Sequence, residues 1–252
     1  MMMASTASAA ESGSRRPARS VLSDGTYDAI RAMLLDHTIP PGQRINIDSI
    51  ARELDVSQTP VREALARLES DALVVKQPLR GYSATELLTL DELDDLFRFR
   101  ELLEPWMSAR AAEERTEEDS DALMAEIERG RDSLDLDLDQ TYGGLSRHDE
   151  RFHHMIAQMA RSPFVSDAYT RAHFQLHVYR VTQVGLAHLR AAADPDVGDT
   201  ELRVAMEKER GLITISEHTR VAEAIMAGQK NAAAAHMLDH VQSARKRIPP
   251  LP

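Results

Sequence analysis

Histidine and acidic residues recur at helical spacing in the second half of this 252-residue chain. Three pairs lie four positions apart: Asp149 and His153, His173 and His177, and His236 and His240. Two residues at that spacing lie on one face of a helix, where they can bind the same metal ion. Carboxylate oxygens and imidazole nitrogens together suit borderline divalent metals such as zinc, nickel or manganese. Spacing alone therefore indicates metal chemistry but leaves several candidate sites.

The apolar stripes of the surrounding helices separate these candidates. Four residues lie within the inward stripes of three predicted helices: Asp149, His153, His218 and His240. His154 and His236 line up with charged and polar residues, so we expect both to face solvent, while His173 and His177 fall between faces. A carboxylate on a buried face needs a partner. The pattern predicts a metal site of one aspartate and three histidines; the alternative is four unrelated polar groups, each satisfied by its neighbours.

Two charged residues interrupt the apolar face of the first long helix in this half. Arg100 and Glu104 are four residues apart, which favours a salt bridge within the helix. The other interpretation is that Arg100 binds an anionic ligand through its guanidinium fork. We therefore keep Arg100 as a candidate effector-binding residue.

The elements that would position these residues are helical almost throughout. Candidate helices cover residues 89–114, 117–129, 140–160, 163–192, 201–228 and 230–247. Residues 132–139 alternate with the period of a strand, but aspartate is a poor strand former, so we interpret this stretch as an acidic loop. The sequence thus predicts an all-α antiparallel bundle after Thr85.

A different pattern fills the preceding residues. The stretch from Ser57 to Leu68 reads as a helix with an apolar face opposite a short, polar, cationic one. A shorter helix over residues 48–54 precedes it, and two strands, 73–76 and 82–85, follow it. Two short helices joined by a tight turn, the second polar on its outside, are typical of a helix-turn-helix. The strands would form a hairpin wing with a basic tip; the alternative is an ordinary helical hairpin followed by a β-ribbon.

The run VSQTPVREALARLESDALV, from Val56 to Val74 and followed by Arg80-Gly81, resembles the winged helix-turn-helix of the GntR family of bacterial transcription regulators. Gln58 stands where that family usually has arginine. Because arginine reads guanine and glutamine suits adenine, this departure bears on the preferred DNA sequence. The candidate DNA-binding residues are Ser57, Gln58, Thr59, Arg62, Arg67, Lys76, Arg80 and Gly81.

The second half resembles the helical FCD ligand-sensing domain of the FadR branch of that family. The matching segments are RELLEP at 100–105, DERFH at 149–153, EH at 217–218 with AIMAGQ after it, and HMLDH at 236–240. In metal-containing members these segments supply the ligands, which correspond to the same four residues that the apolar stripes select. The resemblance also implies a small carboxylate effector that completes the metal's coordination. It further implies homodimers that bind short inverted repeats of double-stranded DNA.

Composition limits the remaining possibilities. With 42% hydrophobic residues, 252 positions suffice for two cores, and we expect a disordered arm (1–20), a winged helix-turn-helix (21–86), a helical domain (87–247) and a tail (248–252). Residues 1–86 contain 10 Lys/Arg and 11 Asp/Glu, against 20 and 30 in the rest, so any DNA-binding field must be local. There is no cysteine and no long apolar run, so we expect a cytoplasmic protein without disulfides or membrane spans.

The sequence predicts a mainly α fold and a metabolite-responsive transcription regulator, expected to be a repressor. Residues 86–90 would connect the two domains and transmit the response. A metalloenzyme that hydrolyses its substrate with metal-bound water is the alternative from another class. Against that alternative, no additional carboxylate in the inward stripes is marked as a general base, and an enzyme gives no reason for a winged helix. A regulator that senses the metal itself is the third possibility.

Overall fold

A computed structural model describes residues 16–136, 138–192 and 199–249 of the chain. Most of the predicted arm and the end of the predicted tail lie outside the described residues. The chain divides into two compact units, Met1–Thr85 and Glu86–Pro252. Among the described residues, no helix is long and apolar enough to cross a membrane.

From residue 16 onward, the first unit contains three helices. They are α1 (Arg16–Leu35), α2 (Ile47–Glu53) and α3 (Gln58–Ser70). Helix α1 begins at Arg16, within the stretch 1–20 that the sequence analysis assigned to a disordered arm. The apolar face predicted for α3 is buried and packs against α1. Asp55 adopts a left-handed φ of 52° between α2 and α3, and this turn separates the two helices.

A three-stranded antiparallel sheet completes this unit. Its strands are β1 (Arg44–Ile45), β2 (Val74–Gln77) and β3 (Gly81–Ala84), in the order β1-β3-β2. The hairpin expected from the sequence is formed by β2 and β3, with Gln77 opposite Gly81. Strand β1 was not predicted, because two residues are too few to show a period. Ile45 of β1 lies opposite Tyr82, so β1 adds a third strand to the predicted two.

The second unit is helical in its described residues. Its elements are α4 (Leu90–Glu114), α5 (Glu117–Asp132), a 3₁₀ turn (Ser133–Asp135), α6 (Leu138–Met159), α7 (Pro163–Ala172), α8 (Phe174–Ala192), α9 (Asp199–Met226) and α10 (Lys230–Lys246). Capping boxes built on Thr89 and Thr116 begin α4 and α5. The interpretation of residues 132–139 as an acidic loop was wrong, because the 3₁₀ turn and the ends of two helices occupy most of it.

The single helix predicted over residues 163–192 is two helices. His173, between α7 and α8, has a φ of 47°, in the left-handed region. A left-handed residue interrupts the helical hydrogen-bond ladder, although histidine is among the residues that tolerate it better. The break was missed because one residue in this conformation leaves the apolar period on each side unchanged.

The core of the second unit encloses a set of polar groups. Helix α4 packs against α10, α6 and α9, and these helices bury apolar side chains such as Phe97, Phe152 and Ile225. The buried polar residues among them include Arg100, Glu104, Glu126, His148, His153, His218 and His240. Groups of this kind need partners inside the protein, because water does not reach them.

Candidate nucleic-acid interface and metal centre

The outer face of α3 presents polar side chains. All candidate DNA-binding residues of the sequence analysis are exposed, namely Ser57, Gln58, Thr59, Arg62, Arg67, Lys76, Arg80 and Gly81. Ser57 occupies the N-cap position of α3 but makes no side-chain capping bond. The Gln58 amide donates a short hydrogen bond to Asp48 of α2, and the Arg62 Nη2 donates to the Gln58 Oε1 at 3.3 Å. These contacts bring Gln58 and Arg62 together on one surface.

Arg67 does not join that surface. Its guanidinium binds Asp24 of α1 at 2.7 Å and lies 4.1 Å from the centre of the Tyr27 ring. Side chains five positions apart on a helix point about 140° away from each other. Arg67 therefore contacts α1, while Arg62 lies on another face of α3. The sequence analysis grouped the two residues because both are arginines, although their spacing places them on different faces.

The β2–β3 hairpin carries two of the candidate cations. Lys76 lies 5.8 Å from the centre of the Tyr82 ring. Arg80 lies in the exposed tip, where its backbone N–H donates to the Gln77 carbonyl at 3.1 Å and closes the turn. Leu79 and Gly81 both have positive φ, 61° and 84°, which turns the chain sharply at the tip. The wing thus holds basic side chains at its exposed end.

The four predicted metal ligands converge in the second unit. One donor atom from each of Asp149, His153, His218 and His240 lies within 4.8 Å of the others. The Nε2 atoms of His153 and His218 are each 3.2 Å from the Nε2 of His240. Asp149 Oδ1 lies 3.7 Å and 3.6 Å from the Nε2 atoms of His153 and His218. Neighbouring ligands of a tetrahedral zinc ion are separated by roughly 3.3 Å, so these distances fit a divalent metal.

Glutamates orient two of the imidazoles. The Nδ1 of His240 lies 2.8 Å from the Glu217 carboxylate, and the Nδ1 of His153 lies 2.9 Å from the Glu104 carboxylate as a close contact without hydrogen-bond alignment. A carboxylate oxygen only accepts, so the Nδ1 of His240 carries the proton and its Nε2 keeps a lone pair. At His153 the negative charge of Glu104, 2.9 Å from the Nδ1, favours the same tautomer, because a lone pair there would face that charge. Lone pairs that converge at 3.2 Å repel each other, and a cation between them removes that repulsion.

The charge states in this cluster are those that metal binding requires. Burial lowers the pKa of His218 well below its ordinary value, and the neighbouring His240 adds to the effect. Burial also lowers the pKa of His240, against the opposing hydrogen bond to Glu217. Burial would raise the pKa of Glu217, but hydrogen bonds from His240 and Arg247 outweigh it and lower the pKa to about 2. Neutral imidazoles beside ionised carboxylates can bind a metal without first losing protons.

His148 contacts one member of this cluster but was missed in the sequence. It is buried, and its Nε2 lies 2.9 Å from the Nδ1 of His218. The signal was available, because His148 lies three residues after Leu145 and four before Phe152, on the stripe that selected Asp149.

A cavity of about 140 Å³ opens beside two of the four converging residues, Asp149 and His240. It is lined by Arg100, Leu145, Ser146, Asp149, Gln175, Val178, Tyr179, Thr182, Arg210, Gly211, Thr214, His240, Ala244, Arg247 and Ile248. The predicted salt bridge of Arg100 is present, since its Nε and Nη2 lie 2.5 Å and 3.3 Å from the Glu104 carboxylate. Arg100 thus lines the cavity and also holds the glutamate that contacts His153.

The other histidines lie outside the cluster. The prediction that His154 and His236 face solvent was wrong, because both are half-buried and His154 bonds to Thr170 of α7 at 3.0 Å. Helix α7 packs on that side of α6, which the period of α6 alone does not show. His173 ends α7, and His177 is half-buried in α8, where burial, Arg180 and His173 lower its pKa to about 4.

Comparisons with known proteins give the same division of the chain. Residues 22–83 match the family described as bacterial regulatory proteins, gntR family, and residues 95–243 match the FCD domain. The chain is 24% identical over 214 residues to YdhC of Bacillus subtilis, an uncharacterised HTH-type transcriptional regulator, covering 85% of each protein. It is 25% identical over 231 residues to the regulator LutR of the same organism, covering 83% of this chain and 93% of LutR.

Solved structures share the fold. E. coli McbR/YncC superposes with a TM-score of 0.62 at 22% identity, over 90% of this chain and 96% of that one. A GntR regulator from Rhodococcus sp. RHA1 superposes with a TM-score of 0.59 at 20% identity, over 90% and 96%. The matches to the gntR family and the FCD domain confirm the expectation of a transcription regulator over a metalloenzyme. The chain belongs to the GntR family of bacterial transcription regulators and carries an FCD domain.

Proposed function

We propose that this regulator is a homodimeric repressor of the FadR branch, and that a small organic acid bound at a divalent metal lowers its affinity for its operator. The observation that carries the proposal is the convergence of three Nε2 atoms and one carboxylate next to a cavity that Asp149 and His240 line. A dimer suits an inverted repeat, because a twofold axis brings one winged helix to each half-site.

Asp149, His153, His218 and His240 would hold zinc, nickel or manganese. A metal bound there supplies a Lewis-acidic position for a carboxylate oxygen. Asp149 and His240 are in the wall of the cavity, so an effector in the cavity reaches that position directly. The wall also contains Arg100, Arg210 and Arg247, whose positive charges favour an anion even though each guanidinium already has a protein partner.

Arg62 is the residue that we expect to read the operator from the major groove, with Arg80 at the adjacent backbone or minor groove. Replacing Arg62 with alanine should weaken specific binding by about 1–3 kcal/mol, because a bidentate contact to a base edge is lost. A mobility-shift titration on an operator selected from random DNA measures this change. Wild-type binding should also weaken steeply as salt rises, because phosphate contacts release counterions.

Arg98→Ala is the matched control for this experiment. Arg98 is an exposed arginine paired with Asp95 on α4, in the unit that carries no helix-turn-helix. Its loss should leave the operator affinity unchanged. If Arg62→Ala and Arg98→Ala bind the operator equally well, α3 is not the recognition helix.

The effector response should depend on Asp149. A ligand changes operator affinity only by the ratio of its affinities for the free and DNA-compatible arrangements of the dimer. An organic acid identified by thermal-shift screening of metal-loaded protein should lower operator affinity by about 1–3 kcal/mol. Asp149→Ala and His153→Ala should keep DNA binding but abolish this response, because each removes a metal ligand. We propose that residues 86–90 transmit the change between the two units.

His236→Ala serves as the control, because His236 lies outside the cluster. The measurement is a mobility-shift titration with and without the acid, on protein whose metal content is determined in parallel. A full response in a variant that holds no metal would place the sensing site elsewhere. A response to zinc alone, without any acid, would instead support a sensor of the metal.

A further inference from the structure

Helix α6 carries a buried histidine that connects one metal-ligand candidate to helix α5. The Nδ1 of His148 lies 3.0 Å from the Glu126 carboxylate and 3.0 Å from the Glu126 backbone carbonyl. The Nε2 of the same ring lies 2.9 Å from the Nδ1 of His218. All three side chains are fully buried. His148 therefore bridges a glutamate and a ligand candidate where no water competes.

The hydrogen bonds from His218 through His148 to Glu126 all run in one direction. The carboxylate Oε1 and the backbone carbonyl oxygen of Glu126 can only accept, so the Nδ1 of His148 must be the donor and carry the proton. The Nε2 of a neutral His148 then accepts from the Nδ1 of His218. This leaves the Nε2 of His218 with a lone pair that points toward His240, 3.2 Å away. His148 thus determines which nitrogen of His218 is available to a metal.

The Glu126 carboxylate, which accepts from His148, is itself held in place by two arginines. Arg151 donates to both carboxylate oxygens of Glu126, at 2.8 Å and 2.9 Å, and Arg129 donates to one of them at 2.9 Å and 2.7 Å. The paired arginines lower the pKa of Glu126 although its burial would raise it. A buried carboxylate with two cationic partners stays an acceptor and keeps its position.

An arginine–glutamate pair also supports each of the other two histidines, His153 and His240, but without a second imidazole between them. Arg100 binds Glu104 beside His153, and Arg247 binds Glu217 beside His240. Only the support of His218 passes through a second imidazole. Phe152 stacks on the His218 ring, with centroids 3.9 Å apart and planes 11° from parallel. This stacking fixes the plane of the ring, and His148 fixes its rotation within that plane.

A glycine of α5 makes room for the bridging ring. A Cβ added at Gly130 would lie 2.7 Å from the Nδ1 of His148 and 2.5 Å from the Cδ1 of Ile215. Contacts below 3.0 Å require a neighbour to move, and both neighbours are packed side chains of the core. Glycine at this position therefore allows His148 to reach Glu126.

We infer that His148 is a positioning residue of the metal centre, which together with Glu126 sets the tautomer of His218 and thereby raises the affinity for the metal. This inference rests on the proposed metal site and adds to it a residue outside the four ligands. Partners of this kind change metal affinity by about 10- to 100-fold when they are removed. His148→Leu should therefore weaken Zn²⁺ binding by that factor, because it removes the acceptor of His218.

The test uses the full-length protein, stripped of metal and titrated with Zn²⁺ against a competing chelator. His148→Gln should restore most of the affinity, because its amide can accept from His218 and donate to Glu126. Gly130→Ala should also weaken binding, since its Cβ would press on both the His148 ring and Ile215 without removing a polar group. His154→Leu is the control, because it removes a half-buried histidine of the same helix that lies outside the cluster.

A second readout separates positioning from general loss of structure. In metal-free wild-type protein, ¹⁵N NMR of the imidazoles should show His218 protonated at Nδ1 and bare at Nε2. The His148→Leu variant should show a mixture of tautomers with unchanged far-UV circular dichroism. Should His148→Leu fail to fold, the wild-type tautomer and the affinity of His148→Gln decide the question.

Three results would each overturn the inference. The first is a wild-type His218 protonated at Nε2 in the metal-free protein. The second is a Zn²⁺ affinity that His148→Leu leaves unchanged, and the third is a Zn²⁺ affinity that His148→Gln fails to retain. Wild-type protein that binds no Zn²⁺ at all would contradict the proposed metal site itself, which is a different outcome.

Discussion

His240→Ala is expected to lower Zn²⁺ affinity by at least about a hundredfold, because loss of an outer partner alone already costs up to that factor. His240 lies at the centre of the cluster, with its Nε2 3.2 Å from the Nε2 atoms of both His153 and His218. His218→Ala should have a comparable effect. The wild-type protein should carry close to one divalent ion per chain, measured by elemental analysis of protein kept away from chelators.

His154→Ala and His236→Ala are the matched controls for this prediction. Both remove a half-buried imidazole from one of the same helices, α6 or α10, and neither belongs to the converging set. Their metal content should equal that of the wild type. Equal losses in all four variants would mean that the converging imidazoles are not the ligands, and wild-type protein without metal would lead to the same conclusion.

Glu104→Ala is expected to destabilise the helical unit by about 3–5 kcal/mol, because it leaves the guanidinium of Arg100 buried and unpaired. Arg100 is 2% exposed and Glu104 is 0% exposed, and their closest atoms are 2.5 Å apart. Burial would raise the pKa of Glu104, but Arg100 and His153 outweigh it and hold the pKa below its ordinary value. The carboxylate is therefore charged at neutral pH, when the pair contributes fully. Urea denaturation of metal-free protein measures the loss.

The same helix offers a control for the ion pair. Glu113 binds Arg110 and Lys230 at a partly exposed position of α4, so Glu113→Ala should have a much smaller effect. The double variant Arg100→Met, Glu104→Ala should recover stability relative to Glu104→Ala, because no unpaired charge remains. If Glu104→Ala and Glu113→Ala unfold at the same urea concentration, the buried pair does not stabilise this unit.

Periodicity predicted the helices that matter most for function. The buried face of α3 follows from Val61, Leu65 and Leu68, and its exposed face is where Gln58 and Arg62 lie. The same reasoning selected the four residues whose donor atoms converge. It succeeded because an apolar stripe identifies the side of a helix that faces the core, and polar residues within that stripe must meet one another there.

The sequence could not identify the partners that inward side chains meet on other helices. His148 and His218 lie 70 positions apart, on α6 and α9, and Arg67 reaches Asp24 across 43 positions. Such contacts depend on how two helices are rotated and shifted against each other, and the period of a single helix contains no information about that. This is why the glutamates behind the histidines and the bridging role of His148 became apparent only in the folded structure.

Local conformation was the other property that the tertiary structure decided. The left-handed His173 between α7 and α8 and the two-residue strand β1 leave no periodic mark in the sequence. Strand β1 exists because β3 offers it a hydrogen-bonded edge. The sequence by itself thus determined the two kinds of domain, the buried faces and the candidate ligands, since these depend on residue type and spacing along the chain. Tertiary packing decided the partners of the inward histidines, the ion pairs between helices and the break at His173, because these depend on atoms that only folding brings together.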